Sequence, residues 1–270
     1  MKYLNGMGIG FLVLGIGVPL ALFYFFKSPH ADRHDVQGGP ESVVIAAPFV
    51  KHEVPAGCKI KQWNTVDDFD LNLVQFDSVF WDPRDTISLR KLILDSGLVK
   101  DKTVLEISCG SGLLGLCCLK SGASNVVATD VNQLAVANAK YNAKRLGLEK
   151  GFDVRLVPID DSGAYTVLGP DENFDLIISN PPWVNREATT IDEFALYDEN
   201  FGLVGSLLDG AKQRLNPGGR VWLAYGCVDA IRTIERLARE HDFEFEILDD
   251  RNLDELSEEF LPGLLIEIRP

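Results

Sequence analysis

Strands and helices that alternate from residue 101 onward predict an α/β protein with a doubly wound, largely parallel sheet covered on both faces. Three observations carry that expectation. Short apolar runs, too brief for helices, recur at 103–107, 126–130, 153–157, 174–179, 220–225, 243–248 and 264–268, enough for a sheet of seven strands. The first run is followed by a turn of small residues, Ser108-Cys109-Gly110-Ser111-Gly112, and then by a helical apolar stretch to Leu119. Glu106, Asp130 and Asn180 fall at the carboxyl ends of three of the runs, the edge where open α/β sheets place their ligands.

Taken in order, the chain divides into an anchor at 1–27, a linker at 28–42 and a domain at 43–270. Ile9 through Phe26 carries no charge and ends in Tyr24-Phe25-Phe26-Lys27, an aromatic and basic boundary of the kind found at membrane interfaces. Its length is close to the roughly 20 apolar residues that cross a bilayer. A cleaved signal peptide is the rival, but Ser28-Pro29-His30-Ala31 offers no small-x-small cleavage site. The expectation is a single-pass transmembrane helix with the domain in the cytoplasm, where the ligand considered below is made. Residues 28–42, with Pro, Gly and scattered charge, read as a linker.

Within the domain, an extension at 43–100 holds short β-like pieces ending in Leu73-Val74-Gln75-Phe76 and Ser78-Val79-Phe80-Trp81. Asp82-Pro83-Arg84-Asp85-Thr86 then opens a helix from Ile87 to Leu94 that Gly97 stops. The core occupies 101–270, and an acidic helix is expected between its last two strands.

The net charge of −14 is unevenly spread: residues 151–270 carry 25 acidic and 10 basic side chains. A half this acidic is poorly suited to a polyphosphate, which needs Lys and Arg to displace counterions. Cys58, Cys109, Cys117, Cys118 and Cys227 show no zinc spacing, and the four histidines lie outside the motif segments. Metal or thiol chemistry is therefore not expected.

The turn at 108–112 brings the backbone close to a ligand and presents a helix amino terminus to it. Asp130 is an acceptor-only group suited to both hydroxyls of a ribose. Gly110-x-Gly112-x-x-Gly115 with Asp130 also fits the dinucleotide fingerprint, so NAD competes for this segment. Against it stand Glu106, which would repel a pyrophosphate but meet an ammonium group, and the lack of a hydride-transfer partner.

Asn180-Pro181-Pro182-Trp183 decides between the two. Two prolines stop the strand 174–179 and stiffen the turn, so the Asn180 amide oxygen and the Pro181 carbonyl form a pair of acceptors for one planar NH2 group. This tetrapeptide resembles the substrate motif of S-adenosylmethionine-dependent methyltransferases that act on amide or exocyclic amine nitrogens. Glu106-x-Ser108-x-Gly110-x-Gly112 is similar to their first motif, with Ser where the first Gly is usual.

Val79 through Thr86 resembles the Pro-Arg segment of the protein-glutamine N5-methyltransferases. Phe194-Ala195-Leu196, Phe201-Gly202-Leu203, Leu207 through Ala211 and Leu215 through Arg220 follow the same order. The resemblance covers about residues 79–225; Trp183 departs from the usual Tyr, and no helical docking domain precedes the core.

It implies a seven-stranded Rossmann-like methyltransferase sheet whose final strand runs antiparallel. It also implies S-adenosyl-L-methionine held by Glu106, Ser108, Gly110, Gly112, Asp130 and Thr86, with Asp160, or Asp161 beside it, on the adenine amino group. Arg84 and Thr86 are expected near the mouth of the site, with a helix-start role the equal alternative for Thr86. Asn180 and Pro181 would hold the nitrogen, with Pro182 and Trp183 against the substrate. The expected reaction is methyl transfer to a nitrogen of a protein. A nucleic-acid base methyltransferase is the alternative, as is a non-catalytic membrane-tethered module.

Overall fold

The computed structural model describes residues 52–270, and the anchor and linker expected at 1–42 lie outside the described residues. Among the described residues no helix is long and apolar enough to cross a membrane. The chain order is β1 (Ile60–Asn64), β2 (Leu73–Phe76), α1 (Ile87–Asp95), β3 (Thr103–Ile107), α2 (Leu113–Lys120), β4 (Asn125–Asp130), α3 (Gln133–Leu146), β5 (Phe152–Leu156), β6 (Phe174–Ser179), α4 (Gly202–Arg214), β7 (Leu215–Cys227), α5 (Val228–Glu240), β8 (Glu244–Ile247) and β9 (Glu259–Arg269).

Seven strands form one sheet in the order β5-β4-β3-β6-β7-β9-β8. The pairings from β5 through β7 are parallel, whereas β9 runs antiparallel to both β7 and β8. Each face needs an apolar cover, because β3, β4 and β6 are apolar along nearly their whole length. One face packs against α1, α2 and α3, with Leu89, Leu116 and Ala139 in the core. The other packs against α4 and α5, with Leu207, Ile231 and Ile234.

Chain order reverses between β3 and β6, which opens a crevice at the carboxyl edge. Register fixes what meets there. Ile107 pairs with Thr129 of β4 and with Ser179 of β6, so Ser108, Asp130 and Asn180 leave the sheet side by side. Ser179 Oγ, fully buried, donates to the Ile107 carbonyl at 2.7 Å and holds the β3 and β6 ends together.

The extension is a separate antiparallel pair, β1 with β2, docked on α3 by two asparagines. Asn138 Oδ1 accepts from the Phe76 N–H and Asn142 Oδ1 from the Val74 N–H, both at 2.8 Å, while both side-chain amides donate to the Val74 carbonyl. Both asparagines are fully buried. Through Ser111, whose carbonyl accepts from Asn142 at 3.0 Å, the same clamp reaches the glycine turn.

Two expectations need correction. Ser78–Trp81 is not a strand: Ser78 stands at φ +60° and turns the chain, so Phe80 and Trp81 become loop residues facing the crevice. Between β8 and β9 there is no α-helix, only the 3-10 turn Leu253–Glu255. Asp249 accepts from the Arg251 N–H at 3.0 Å and Asn252 from the Asp254 N–H at 3.1 Å, local bonds that compete with helix. β7 and β9 are also longer than the runs 220–225 and 264–268.

Candidate active site

The glycine turn after β3 is tied to β4 by its own backbone. The Gly110 N–H donates to Asp130 Oδ2 and the Asn132 N–H to Asp130 Oδ1, each at 2.8 Å, and the Cys109 N–H donates to the Thr129 carbonyl. Ser108 (φ +59°), Gly110 (φ +52°) and Gly112 (φ +82°) all adopt the left-handed region. A Cβ on Gly110 would meet nothing within 4 Å, so that backbone faces open space, whereas one on Gly112 would reach Ala139 Cβ at 3.0 Å. Packing thus excludes a side chain at Gly112, whereas at Gly110 only the positive φ disfavours one. Ser108 pays the steric cost that the usual glycine would avoid.

Glu106 points from β3 toward α2 and is only 2 % exposed. Its Oε2 accepts from the Gly115 N–H at 3.0 Å, and a Cβ on Gly115 would collide with that oxygen at 2.4 Å. Gly115 therefore makes room for Glu106. Burial, with the Asp130 charge adding to it, pushes the Glu106 carboxyl up to about 8. Burial also raises Asp130, although three backbone N–H groups pull the other way. A cation or a further donor beside either group would draw it back toward its ionised form.

Two cavities meet at this turn. The first, about 110 Å³, includes Glu106, Gly110, Asp130, Asn180 and Pro182 in its walls, with Thr86 at the head of α1. The second, about 490 Å³, shares Ser108, Asp130, Val131, Pro182 and Phe194 with the first and extends over apolar Val157, Ile159 and Leu203. Walls come from both flanks. The extension supplies Phe80 and Trp81, fixed by Asn132, whose side-chain amide donates to the Ser78 carbonyl at 2.6 Å. The loop after β6 folds back through bonds between Val184 and the Leu196–Asp198 segment and supplies Ile191 and Phe194. Asp198, 7 % exposed, anchors that loop by accepting from the Leu203 and Val204 N–H groups at the start of α4.

Asn180 stands where the first cavity meets a third, of about 500 Å³, that also touches Asp85, Pro181 and Trp183. Asn180 and Asp85 line this cavity together, and the Asn180 side chain acts to lower the Asp85 carboxyl, the direction in which a donor NH2 acts. Asn180 Oδ1 is buried and has no hydrogen-bond partner among the described residues. A buried acceptor without a donor costs free energy, so this oxygen is set for a donor that enters the cavity. Trp183 packs so closely over Gly226 that a Cβ there would lie 2.6 Å from its ring.

The structure thus brings together Glu106, Ser108, Gly110, Asp130, Thr86, Asn180 and Pro182, with Pro181 and Trp183 on the adjoining cavity. Gly112 lies just behind the turn. Asp160 and Asp161 are not brought in: β5 ends at Leu156, both lie exposed in the 3-10 turn Ile159–Asp161, and neither lines these cavities. Ile159 does so instead. Arg84 is clasped by Asp82 at 2.8 Å and turned to solvent; Arg90, buried nearby, donates to the Pro83 carbonyl at 2.8 Å and pairs with Asp68. Thr86 precedes α1 without capping it, and its Oγ1 accepts from Arg90. Asp85, Asn138, Asn142 and Asp198 were not singled out from sequence. The Asn138/Asn142 spacing of four on a helix was the available signal.

The profile of the methyltransferase small domain family matches residues 86–240. The chain belongs to that family. Among relatives of this methyltransferase-family chain, the release factor glutamine methyltransferase of Bordetella pertussis is 35% identical over 148 residues, 50% of this chain and 52% of that protein. The enzyme of the same name from Rhodopirellula baltica is 34% identical over 131 residues, 44% and 43% of the two chains. The chain therefore spans about half the length of these relatives. Among solved structures, the SAM-dependent methyltransferase from Agrobacterium tumefaciens superposes with a TM-score of 0.55 at 17% identity, over 78% of this chain and 70% of that one. Ribosomal protein L11 methylase from Lactobacillus delbrueckii subsp. bulgaricus gives 0.50 at 23% identity, covering 67% and 77%. These two likenesses show the fold.

Proposed function

We propose that this chain is an S-adenosylmethionine-dependent methyltransferase acting on an amide or amine nitrogen of a protein substrate. One observation carries the reading: Asn180 Oδ1, buried and without a partner among the described residues, lies at the junction of the cavity beside the glycine turn and the third, aromatic cavity. Family membership supports methyl transfer. The names of the relatives, which specify a release factor glutamine, support a protein nitrogen.

The residues fit the cofactor. Gly110 leaves its backbone face open, Asp130 has lone pairs left for ribose hydroxyls, and the raised Glu106 gains from a cation. Thr86 and Ser108 complete the walls of the first cavity, while Val131, Ile159 and Leu203 offer an apolar slot for a flat base. Asp160 is left without a role in this reading. When bound, S-adenosylmethionine supplies an electrophilic methyl group on a sulfonium. The chain's own part is positional. Asn180 Oδ1 and the Pro181 carbonyl take the two hydrogens of the acceptor nitrogen and direct its lone pair, and such orientation supplies much of a barrier reduction without a strong base. Trp183 and Pro182 exclude water from the acceptor side.

Calorimetric titration of the chain with S-adenosylhomocysteine and with NAD tests the cofactor reading. Binding of the former alone is expected, with Asp130→Ala weakening it by roughly 1.5–3 kcal/mol, the range for hydrogen bonds to a charged group. Tight NAD binding with no S-adenosylhomocysteine heat would refute it. The membrane anchor at 1–27, with the domain on the cytoplasmic side, belongs to the same proposal and rests on the charge-free run Ile9–Phe26.

A further inference from the structure

Resting on the N-methyltransferase reading, we propose that the acceptor is a primary amine of a basic protein segment, and that Asp85 takes the proton this amine must lose. The third cavity decides the chemistry. Its aromatic walls are Phe80, Trp183 and Phe260, its carboxyl groups are Asp82, Asp85 and Glu259, and among the described residues no Lys, Arg or His lines it. A neutral amide has no use for these acidic groups, and an anionic strand would be repelled by them. An ammonium group suits both features, since aromatic faces and carboxylates each attract a cation.

Arg84 neutralises Asp82, which leaves Asp85 and Glu259 as the carboxyl groups of this cavity without an ion pair among the described residues, and Arg251, which packs on Phe260, is clasped by Asp249. Glu259 is exposed and has no ion pair among the described residues. The adjoining groove extends the acidic rim through Asp229 and Glu258, while its Arg232 and Arg236 are paired with Asp254 and Glu240.

Asp85 is 4 % exposed and lines this cavity together with Asn180. Burial, with the Asp82 charge behind it, pushes its carboxyl up to about 7, which suits a group that accepts a proton near neutrality. An ammonium offers three hydrogens, and the site offers three acceptors: Asn180 Oδ1, the Pro181 carbonyl and the Asp85 carboxylate. One proton passes to Asp85 and leaves a neutral amine held by its other two hydrogens. Its lone pair forms the new N–C bond as the methyl–sulfur bond breaks, with that electron pair remaining on sulfur. The methylated ammonium then leaves with its proton, and Asp85 returns its own to solvent.

The test is binding of acetylated nonapeptides to the full chain saturated with S-adenosylhomocysteine. Three peptides share a sequence and differ at the centre: lysine, N-acetyl-lysine and glutamine. The lysine peptide should bind at least tenfold more tightly than the other two. Asp85→Asn, which keeps shape and removes the charge, should erase that preference, and the exposed Glu259→Gln should reduce it two- to threefold whether or not Asp85→Asn folds well. Equal or tighter binding of the glutamine peptide, or no preference among the three, overturns the proposal. Saturation by S-adenosylhomocysteine is measured first, so a failed preference leaves the methyltransferase reading standing, whereas failure of the first titration removes both.

Discussion

Glu106 shows how one residue serves fold and site together. It is buried at the end of β3 beside a glycine that exists to receive it, and its carboxyl is raised to about 8 by burial first and by Asp130 second. The folded state therefore holds a proton that the unfolded chain releases near the ordinary carboxylate range. With more protons bound folded than unfolded between about pH 4.5 and 8, stability must fall as pH rises through that window. Glu106→Gln should flatten this slope, with a gain on the order of a few kcal/mol above pH 8, and should weaken S-adenosylhomocysteine binding because the ammonium loses its counter-charge. Urea denaturation of both forms from pH 5 to 9 checks the slope; parallel curves would show that Glu106 ionises freely when folded.

At the scale of elements, β2 and α3 form the joint that sets the front wall of the site. Asn138 and Asn142 satisfy the Val74 and Phe76 backbone, which otherwise would be buried without partners. Asn142→Ala should cost roughly 2–3 kcal/mol by stranding buried polar groups, and should loosen cofactor binding through the Ser111 carbonyl it also serves. Thermal melts and the S-adenosylhomocysteine titration read both effects, and an unchanged melting temperature would contradict the clamp. The core strands were legible in sequence because apolar runs of strand length, punctuated by small residues, have few other readings. Asn180 was legible because two prolines fix its surroundings. The clamp was not, since buried asparagines look like surface residues until their partners 62 and 68 positions away are in place. Asp85 stayed hidden for the same reason: its burial and its place in one cavity with Asn180 depend on the β6 turn reaching the head of α1. Asp160 was misplaced because a 3-10 turn carries the chain past the strand end.

In the whole molecule a charge-free amino-terminal run precedes an acidic domain. Full-length protein should sediment with membranes and resist a high-salt wash, since hydrophobic retention is not screened, and deletion of residues 1–35 should release it. A mature chain that begins near residue 30 would instead make the run a signal peptide. The central claim is that the chain transfers methyl groups to nitrogen by gripping the acceptor at Asn180. Its most direct test is transfer of tritiated methyl from S-adenosylmethionine to extract proteins by the parent and Asn180→Ala chains, with cofactor affinity measured on the same samples. The account predicts affinity within about threefold of the parent but a rate at least ~100-fold lower, about 2.7 kcal/mol of transition-state stabilisation. Parental transfer rates in Asn180→Ala would reduce that residue to a strand-ending turn and contradict the account.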